Sequence, residues 1–192
     1  MIPLWLKLLY TAMTVVIVAV YYVKYGPRNF LWFSDIALIG AAVALWLESP
    51  LLASMMAVGV LVPEVIWNAG FFWGLLTGKP IGGVAGYMFD KSKPRYLKAL
   101  SLFHVYLPLL LVWLVWRLGY DPDAWLAQTA LAWVVLPLTY ALTDPKDNIN
   151  WVYGPLGEPQ QRVPPLVYLA LLMLALPLVV YLPTHLLLQA IF

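Results

Sequence analysis

The sequence predicts an all-α integral membrane protein, a bundle of six transmembrane helices that forms a single domain over residues 1–192. Hydrophobic residues make up 64% of the chain and charged residues only 10%, whereas soluble domains carry about 25% charged residues. The apolar runs are long and lack the two-residue alternation of membrane barrel strands. Because backbone amides in a bilayer must pair internally, unbroken apolar runs favour helices.

Six segments are long enough to cross a bilayer, which takes about 20 apolar residues. They cover residues 2–23, 30–47, 51–76, 100–118, 124–142 and 166–192. The third segment contains Pro63, and the sixth contains Pro177 and Pro183. Membrane helices tolerate proline where neighbouring groups bond to the freed carbonyls, so we predict kinked helices rather than interruptions.

The basic residues predict the orientation of the bundle. Six crossings put three loops on one side, and nine of the 11 Lys and Arg residues lie in or beside those loops: Lys24, Arg28, Lys79, Lys91, Lys93, Arg95, Lys98, Lys146 and Arg162. Only Lys7 and Arg117 lie on the other side. Because cytoplasmic loops carry an excess of basic residues, we expect these three loops in the cytoplasm and both termini on the opposite side.

The composition limits which kinds of site the chain can hold. The absence of cysteine excludes disulfides, thiolate nucleophiles and iron–sulfur clusters. The two histidines, His104 and His185, are too few for a multi-histidine metal centre, and the cofactor stays unknown. A net charge of +2 gives no indication of nucleic acid. The expected partners are membrane lipid and, as an open alternative, further subunits of a homo-oligomer or membrane complex.

Three ionisable residues lie inside the predicted spans, where such groups cost from about 3 kcal/mol upward and are functional candidates by default. Counted at 1.5 Å per residue from the helix ends, Asp35, Glu64 and His104 all fall in the cytoplasmic half. Asn68 follows Glu64 by one turn on the same helix face. Three helices thus place polar groups at similar depth, which predicts one shared pocket.

The cytoplasmic loops contribute further candidates. Asn150 and Trp151, in the loop before the last span, are expected to cover the pocket and contact a substrate. The glycine-rich residues 81–86 are expected to form a flexible turn at the lipid headgroups. They lack the lysine and hydroxyl residue of a phosphate-binding loop.

The pocket residues fit more than one kind of chemistry. Ser34 neighbours Asp35, and together with His104 they supply the hydroxyl, carboxylate and imidazole of a nucleophile–base–orienter set. Two carboxylates and a histidine are equally the parts of a hard-metal site. Hydrogen-bonded links between helices, without any chemistry, are the third interpretation.

Three stretches carry a resemblance to a known family. They are Phe30-Leu31-Trp32-Phe33-Ser34-Asp35, Phe103-His104-Val105-Tyr106-Leu107-Pro108, and Trp151-Val152-Tyr153 with Pro155. In order and spacing they resemble the androgen-induced protein 1 family, intramembrane hydrolases of fatty-acid esters of hydroxy fatty acids that use a threonine nucleophile and a histidine. The resemblance implies that His104 matches the family histidine and Asp35 an acidic position. Trp32 stands where the family threonine would be, and Ser34 lies two residues away.

Three functions follow as hypotheses. The first is a membrane-embedded enzyme that hydrolyses or transfers an acyl group of a lipid, with His104 as base, Ser34 as nucleophile and Asp35 as orienter. Asn68 and Asn150 would donate to the oxyanion. The second is a small transporter or ligand-binding protein with proton or cation sites at Asp35 and Glu64. The third is a non-catalytic subunit of a membrane complex.

Overall fold

A computed structural model describes residues 1–81 and 84–192 of the chain as helices joined by turns, with no β-strand among them. The α-helices are α1 (Leu4–Tyr25), α2 (Phe33–Leu47), α3 (Pro50–Thr77), α4 (Arg95–Leu100), α5 (Phe103–Leu118), α6 (Ala124–Leu142), α7 (Pro165–Ala175) and α8 (Leu182–Ile191). The helices α4 and α5 run on as one segment, Arg95–Leu118, as do α7 and α8 through a π-helical turn, Leu176–Tyr181. The predicted helical bundle is therefore confirmed.

Five helical segments are long and apolar enough to cross a membrane: Leu4–Tyr25, Pro50–Thr77, Arg95–Leu118, Ala124–Leu142 and Pro165–Ile191. The prediction of six full-length spans is not confirmed. The expected second span, residues 30–47, contains only the 15 residues of α2 as α-helix, and a 3₁₀ turn, Pro27–Leu31, precedes it. Trp32 separates the two, because its extended backbone (ψ 132°) interrupts the helical path.

The helix ends follow from local sequence. Pro50 occupies the first turn of α3, and the Ser49 hydroxyl accepts a hydrogen bond from the amide of Leu52, so that an orphan amide at the helix start is satisfied. At the other end, Gly78 adopts a left-handed conformation (φ 69°), which glycine reaches without steric cost. These caps explain why α3, at 28 residues, begins and ends where it does.

The core of the bundle is built around α3, the most buried of the long helices, which packs against α2, α5 and α6. Small residues allow close approach on two sides of α3: Gly40 on α2 lies against Met56 on α3, and Gly59 on α3 lies against Gln128 on α6. Such contacts are typical of membrane helices, whose association depends on close packing because lipid tails remove the hydrophobic drive.

Pro177, in the last segment, has no amide hydrogen and so leaves the carbonyl of Met173 without its usual helical donor. The indole nitrogen of Trp133, on α6, donates to that carbonyl at 2.9 Å, and the indole of Trp125 donates to the carbonyl of Pro177 at 3.1 Å. Side chains of α6 therefore satisfy the backbone at the π-helical turn, as predicted for kinked membrane helices.

Hydrogen bonds group the loops at two ends of the bundle. The basic end, defined by the loops at residues 26–32, 78–94 and 143–164, is joined by an Arg28–Asp144 ion pair at 3.4 Å and by contacts of Asn150 with the start of α2. At the opposite end, the Ser54 hydroxyl accepts a hydrogen bond from the amide of Asp121. Two of the three loops predicted to share a side, residues 26–32 and 143–164, thus lie together.

The N-terminus is fastened to the opposite end through Glu48, which has left-handed backbone (φ 49°) at the end of α2. Its carboxylate accepts hydrogen bonds from the amide of Ile2 at 3.0 Å and from the ammonium of Lys7 at 2.7 Å. The terminal ammonium of Met1 lies 3.9 Å away. The bond to Lys7 is the main cause that lowers the pKa of Glu48, and the Ile2 amide adds to it.

We expect acid to release this N-terminal clasp. The pKa of Glu48 in the folded protein lies below the ordinary glutamate value of about 4.3. The contacts of the Glu48 carboxylate therefore stabilise the folded N-terminus fully above that value, and this stabilisation is lost as the pH falls through the folded pKa. Hydrogen exchange at the Ile2 amide should show protection near neutral pH and its loss in acid. A Glu48→Gln variant should keep weak, pH-independent protection. Equal pH dependence in both proteins would contradict the assignment.

Candidate functional site

Glu64 on α3 and His104 on α5 form a hydrogen-bonded pair inside the bundle. The imidazole Nδ1 lies 3.0 and 2.9 Å from the two carboxylate oxygens of Glu64. The side chain of Glu64 is 2% exposed and that of His104 14%. Two of the three ionisable residues predicted to share a pocket are therefore in contact. Because Nδ1 is engaged, Nε2 is the free ring nitrogen: it makes no hydrogen bond within the described residues and is not fully enclosed.

Two aromatic rings hold the imidazole of His104 from either side. Trp67 lies one turn after Glu64 and stacks on the imidazole with ring centroids 4.6 Å apart at 23°. Phe103 stacks at 4.1 Å and 27°. Since the carboxylate fixes one ring nitrogen and the stacked rings fix the ring plane, Nε2 has a defined direction.

Asn68 contacts His104 by donating a hydrogen bond to its backbone carbonyl. Pro108 has no amide hydrogen and frees the carbonyl of His104 four residues earlier. The Asn68 amide nitrogen donates to that carbonyl at 2.7 Å and to the carbonyl of Glu64 at 2.8 Å. Both of its donor hydrogens are used, so the predicted role of Asn68 as an oxyanion donor is wrong for this arrangement.

Asp35 is buried separately from the Glu64–His104 pair. In the first turn of α2 it is 4% exposed, and its Oδ2 accepts a hydrogen bond from the side chain of Asn29 at 3.1 Å. Its Oδ1 is buried and has no partner among the described residues. The predicted orientation of His104 by Asp35 is corrected: Glu64 makes that bond, and Asp35 lies within electrostatic range of Glu64 without touching His104.

Ser34, the predicted nucleophile, is half-buried at the start of α2 and makes no hydrogen bond within the described part of the chain. The described residues also contain no group of three His, Asp or Glu side chains placed to hold a metal ion. The three ionisable residues therefore do not converge on one point as the hard-metal hypothesis requires.

Sequence reasoning missed a hydroxyl group network beside the pair. Tyr21 of α1 and Ser101, between α4 and α5, are buried and hydrogen-bonded at 2.8 Å. Tyr87 approaches them from the loop after α3. Burial is the main cause that raises the pKa of Tyr87 to about 12, and the nearby Ser101 and Trp67 side chains oppose the increase. The carboxylates of Glu64 and Asp35 add to it. Loop tyrosines carry no helical spacing that could have placed Tyr87 here.

The loop after α3 packs against that helix instead of standing free. Phe89 lies directly over Gly74, where an added Cβ would overlap its ring, and Ala85 lies over Gly70, where an added Cβ would make an ordinary contact at 3.8 Å. Tyr87 is carried between them in a 3₁₀ turn, Gly86–Phe89. Within the glycine-rich patch predicted to be a flexible turn, residues 82–83 lie outside the described residues, whereas 84–86 belong to this packed segment.

Asn150 and Trp151 shape the basic end without reaching His104. The Asn150 side chain accepts a hydrogen bond from the amide of Phe33 at 3.0 Å and donates to the carbonyl of Leu31 at 2.7 Å, which positions the start of α2 and hence Asp35. Trp151 has φ 59°, a left-handed conformation that is costly for a bulky residue. The predicted contact of these residues with a substrate stays a prediction.

Comparisons with protein-family models, with curated proteins and with solved structures find no match to this chain. The resemblance to the androgen-induced protein 1 family therefore stays a prediction from the three sequence stretches.

The role assigned to Asn68 can be tested by a double-mutant cycle with Pro108. Asn68→Ala should destabilise the protein by about 1 kcal/mol, since hydrogen bonds in membrane proteins average about 0.6 kcal/mol and two are lost. In a Pro108→Ala background the residue 108 amide can bond to the His104 carbonyl, so Asn68→Ala should cost less. Unfolding in detergent measures the free energies. Additive effects would contradict the compensation.

Proposed function

We propose that this protein is a membrane-embedded enzyme that hydrolyses an ester of a lipid or another amphipathic molecule, with His104 as general base. The observation that carries the proposal is the Glu64–His104 pair, in which a buried carboxylate holds Nδ1 and leaves Nε2 free. A carboxylate in this position fixes the tautomer and stabilises the imidazolium that forms when Nε2 takes a proton. Hydrolysis needs such a proton acceptor.

The reaction then proceeds by ordinary acyl chemistry. Nε2 of His104 accepts a proton from an attacking hydroxyl group while the oxygen bonds to the acyl carbon. The tetrahedral intermediate breaks its bond to the alcohol oxygen, and Nε2 returns the proton to that leaving group. The carboxylate of Glu64 compensates the positive charge of the ring. Water is one candidate for the hydroxyl group. Ser34 is the side-chain candidate, and in that case water then attacks the acyl-serine with Nε2 again as base, which releases the acid and restores the serine hydroxyl.

An apolar crevice on the outside of the bundle, which Glu64 and His104 do not line, favours an amphipathic substrate. The crevice has a volume of about 280 Å³ and opens between α1 and the α4–α5 segment, lined among others by Met13, Val16, Leu100 and Tyr106. Met13 and Val16 are exposed on a helix long enough to span a membrane, so the crevice faces the lipid side. Tyr106 links it to the interior through an edge contact with Tyr10 at 6.2 Å. A lipid acyl chain suits this lining.

We also propose that the bundle crosses the bilayer six times, with the basic end in the cytoplasm. The 15 residues of α2 extend about 22 Å at 1.5 Å each, and the five of the Pro27–Leu31 turn add about 10 Å at 2.0 Å each. Together they match the hydrocarbon thickness of about 30 Å. The excess of Lys and Arg at the basic end supports the orientation.

The absence of cysteine allows a direct test of this topology. Single-cysteine variants Arg28→Cys, Asp123→Cys and Arg162→Cys introduce exposed labelling sites. A membrane-impermeant maleimide should label Asp123→Cys on sealed cells, and the other two only after permeabilisation. Labelling of Arg28→Cys together with Asp123→Cys would show that α2 does not cross. Labelling of Arg28→Cys and Arg162→Cys on sealed cells, without labelling of Asp123→Cys, would show the reverse orientation.

The catalytic proposal predicts that His104→Ala lowers ester hydrolysis by about 10²–10⁴-fold, the contribution typical of a positioned general base. Turnover of long-chain esters by the purified protein measures it. His185→Ala is the matched control, because that histidine bonds to Tyr120 at 2.6 Å at the opposite end and should leave turnover unchanged. No hydrolysis of any long-chain ester by the wild type would contradict the proposal.

A Glu64→Gln variant tests whether the carboxylate of Glu64 contributes to ester hydrolysis. Glutamine keeps the size of the side chain but removes the charge that stabilises the imidazolium. We expect a fall in kcat with little change in KM, because the neutral amide stabilises the imidazolium less than the carboxylate does. If Glu64→Gln and wild type show the same kcat, Glu64 does not assist His104.

A further inference from the structure

A second crevice opens at the basic end, where α6 ends. It has a volume of about 320 Å³ and lies between the 3₁₀ turn that precedes α2 and the last turn of α6, lined by Pro27, Arg28, Leu31, Ala141 and Leu142. Ligand sites typically measure about 300–1,000 Å³. All of the lining except Arg28 is apolar, and Ala141 and Leu142 are exposed on a helix long and apolar enough to cross a membrane. The crevice therefore faces lipid, at the level of the headgroups.

One positive and one negative side chain lie together at this crevice. Nη1 of Arg28 donates a hydrogen bond to Oδ2 of Asp144 at 3.4 Å, and the two side chains are 57% and 55% exposed. This long bond uses one of the five N–H donors of the guanidinium, and the other four make no hydrogen bond within the described residues. Because exposed ion pairs stabilise a protein only slightly, both charges are available to a ligand.

Side chains of the loop after α6 hold the backbone on both sides of the crevice. The Tyr153 hydroxyl donates a hydrogen bond at 2.7 Å to the carbonyl of Thr143, the residue directly before Asp144. The Asn150 side chain donates at 2.7 Å to the carbonyl of Leu31, at the end of the 3₁₀ turn. The guanidinium and the carboxylate therefore extend from anchored segments, so that the two charges are in place before a ligand binds.

We propose that this crevice binds a phospholipid with an ethanolamine headgroup. Arg28 lines the crevice and Asp144 lies beyond it, against the guanidinium. The lipid carries its groups in the same order: apolar chains, a phosphate, then a terminal ammonium. The guanidinium donates to the phosphate oxygens, and the ammonium has three N–H donors for the Asp144 carboxylate.

The carboxylate of Asp144 distinguishes this lipid from its relatives. The quaternary ammonium of a choline headgroup has no N–H donor, and the uncharged glycerol of phosphatidylglycerol leaves the carboxylate without a cation. The site is separate from the Glu64–His104 pair, and the inference does not depend on the proposed hydrolysis.

Native mass spectrometry of the delipidated wild-type protein tests the selectivity. The probes are phosphatidylethanolamine, its N-methylated series up to phosphatidylcholine, and phosphatidylglycerol, all with the same acyl chains. We expect the ethanolamine lipid to bind about fivefold more tightly than the choline lipid, the upper end of what one exposed ion pair contributes. The largest fall should come with the third methyl group, which removes the last N–H donor. Equal binding of the ethanolamine and choline lipids, or tighter binding of phosphatidylglycerol, would overturn the proposal.

Single substitutions assign the binding to this crevice. Asp144→Asn should make the ethanolamine and choline lipids bind equally, and Arg28→Gln should weaken both by about fivefold. The matched controls Asp147→Asn and Arg162→Gln change exposed charges of the same loop and should keep the wild-type preference. An unchanged melting temperature in detergent shows that each variant is folded. A preference that survives in Asp144→Asn, or that is lost equally in Asp147→Asn, would overturn the site.

Discussion

The hydrogen-bonded pair of Glu64 and His104 is the constraint on which the rest of the site depends. A charged group in the interior of a membrane bundle is tolerated only when it is paired and hydrogen-bonded. This pair joins α3, the central helix, to α5, and the imidazole plane is set by stacking against Trp67 and Phe103. The contacts that stabilise the buried carboxylate of Glu64 also give Nε2 of His104 a fixed direction. The same contacts therefore serve both the stability of the bundle and the chemistry of the site.

Proline determines much of the polar architecture. Each proline inside a helix frees a carbonyl four residues earlier, and at two of them a side chain from a neighbouring helix takes the place of the missing amide. Asn68 does this for the carbonyl freed by Pro108, and Trp133 for the one freed by Pro177. In the first case the freed carbonyl belongs to His104 itself. The proline of α5 and the position of the histidine are therefore parts of one arrangement.

At the basic end of the bundle, contacts made by the loops position residues of the helices. Asn150 pairs with the backbone on both sides of Trp32 and fixes the start of α2, where Asp35 is buried. The segment around Tyr87 packs into the glycine face of α3 and closes over the site. Long connections in small domains are commonly functional when they are ordered, and here they complete a cluster that the helices alone would leave open.

The sequence by itself determined the helical class, the number of apolar segments and the candidates Asp35, Glu64 and His104, because apolar run length and the cost of intramembrane charge act locally. It placed Ala124–Leu142 at its observed bounds. It could not show which carboxylate bonds to His104, since that depends on how each helix is rotated about its axis. Nor could it show that the Asn68 amide donates both of its hydrogens to backbone carbonyls. Tyr21, Ser101 and Tyr87 meet from three segments far apart in the chain. Only tertiary packing brings such groups together, because no short-range pattern encodes a contact between distant segments.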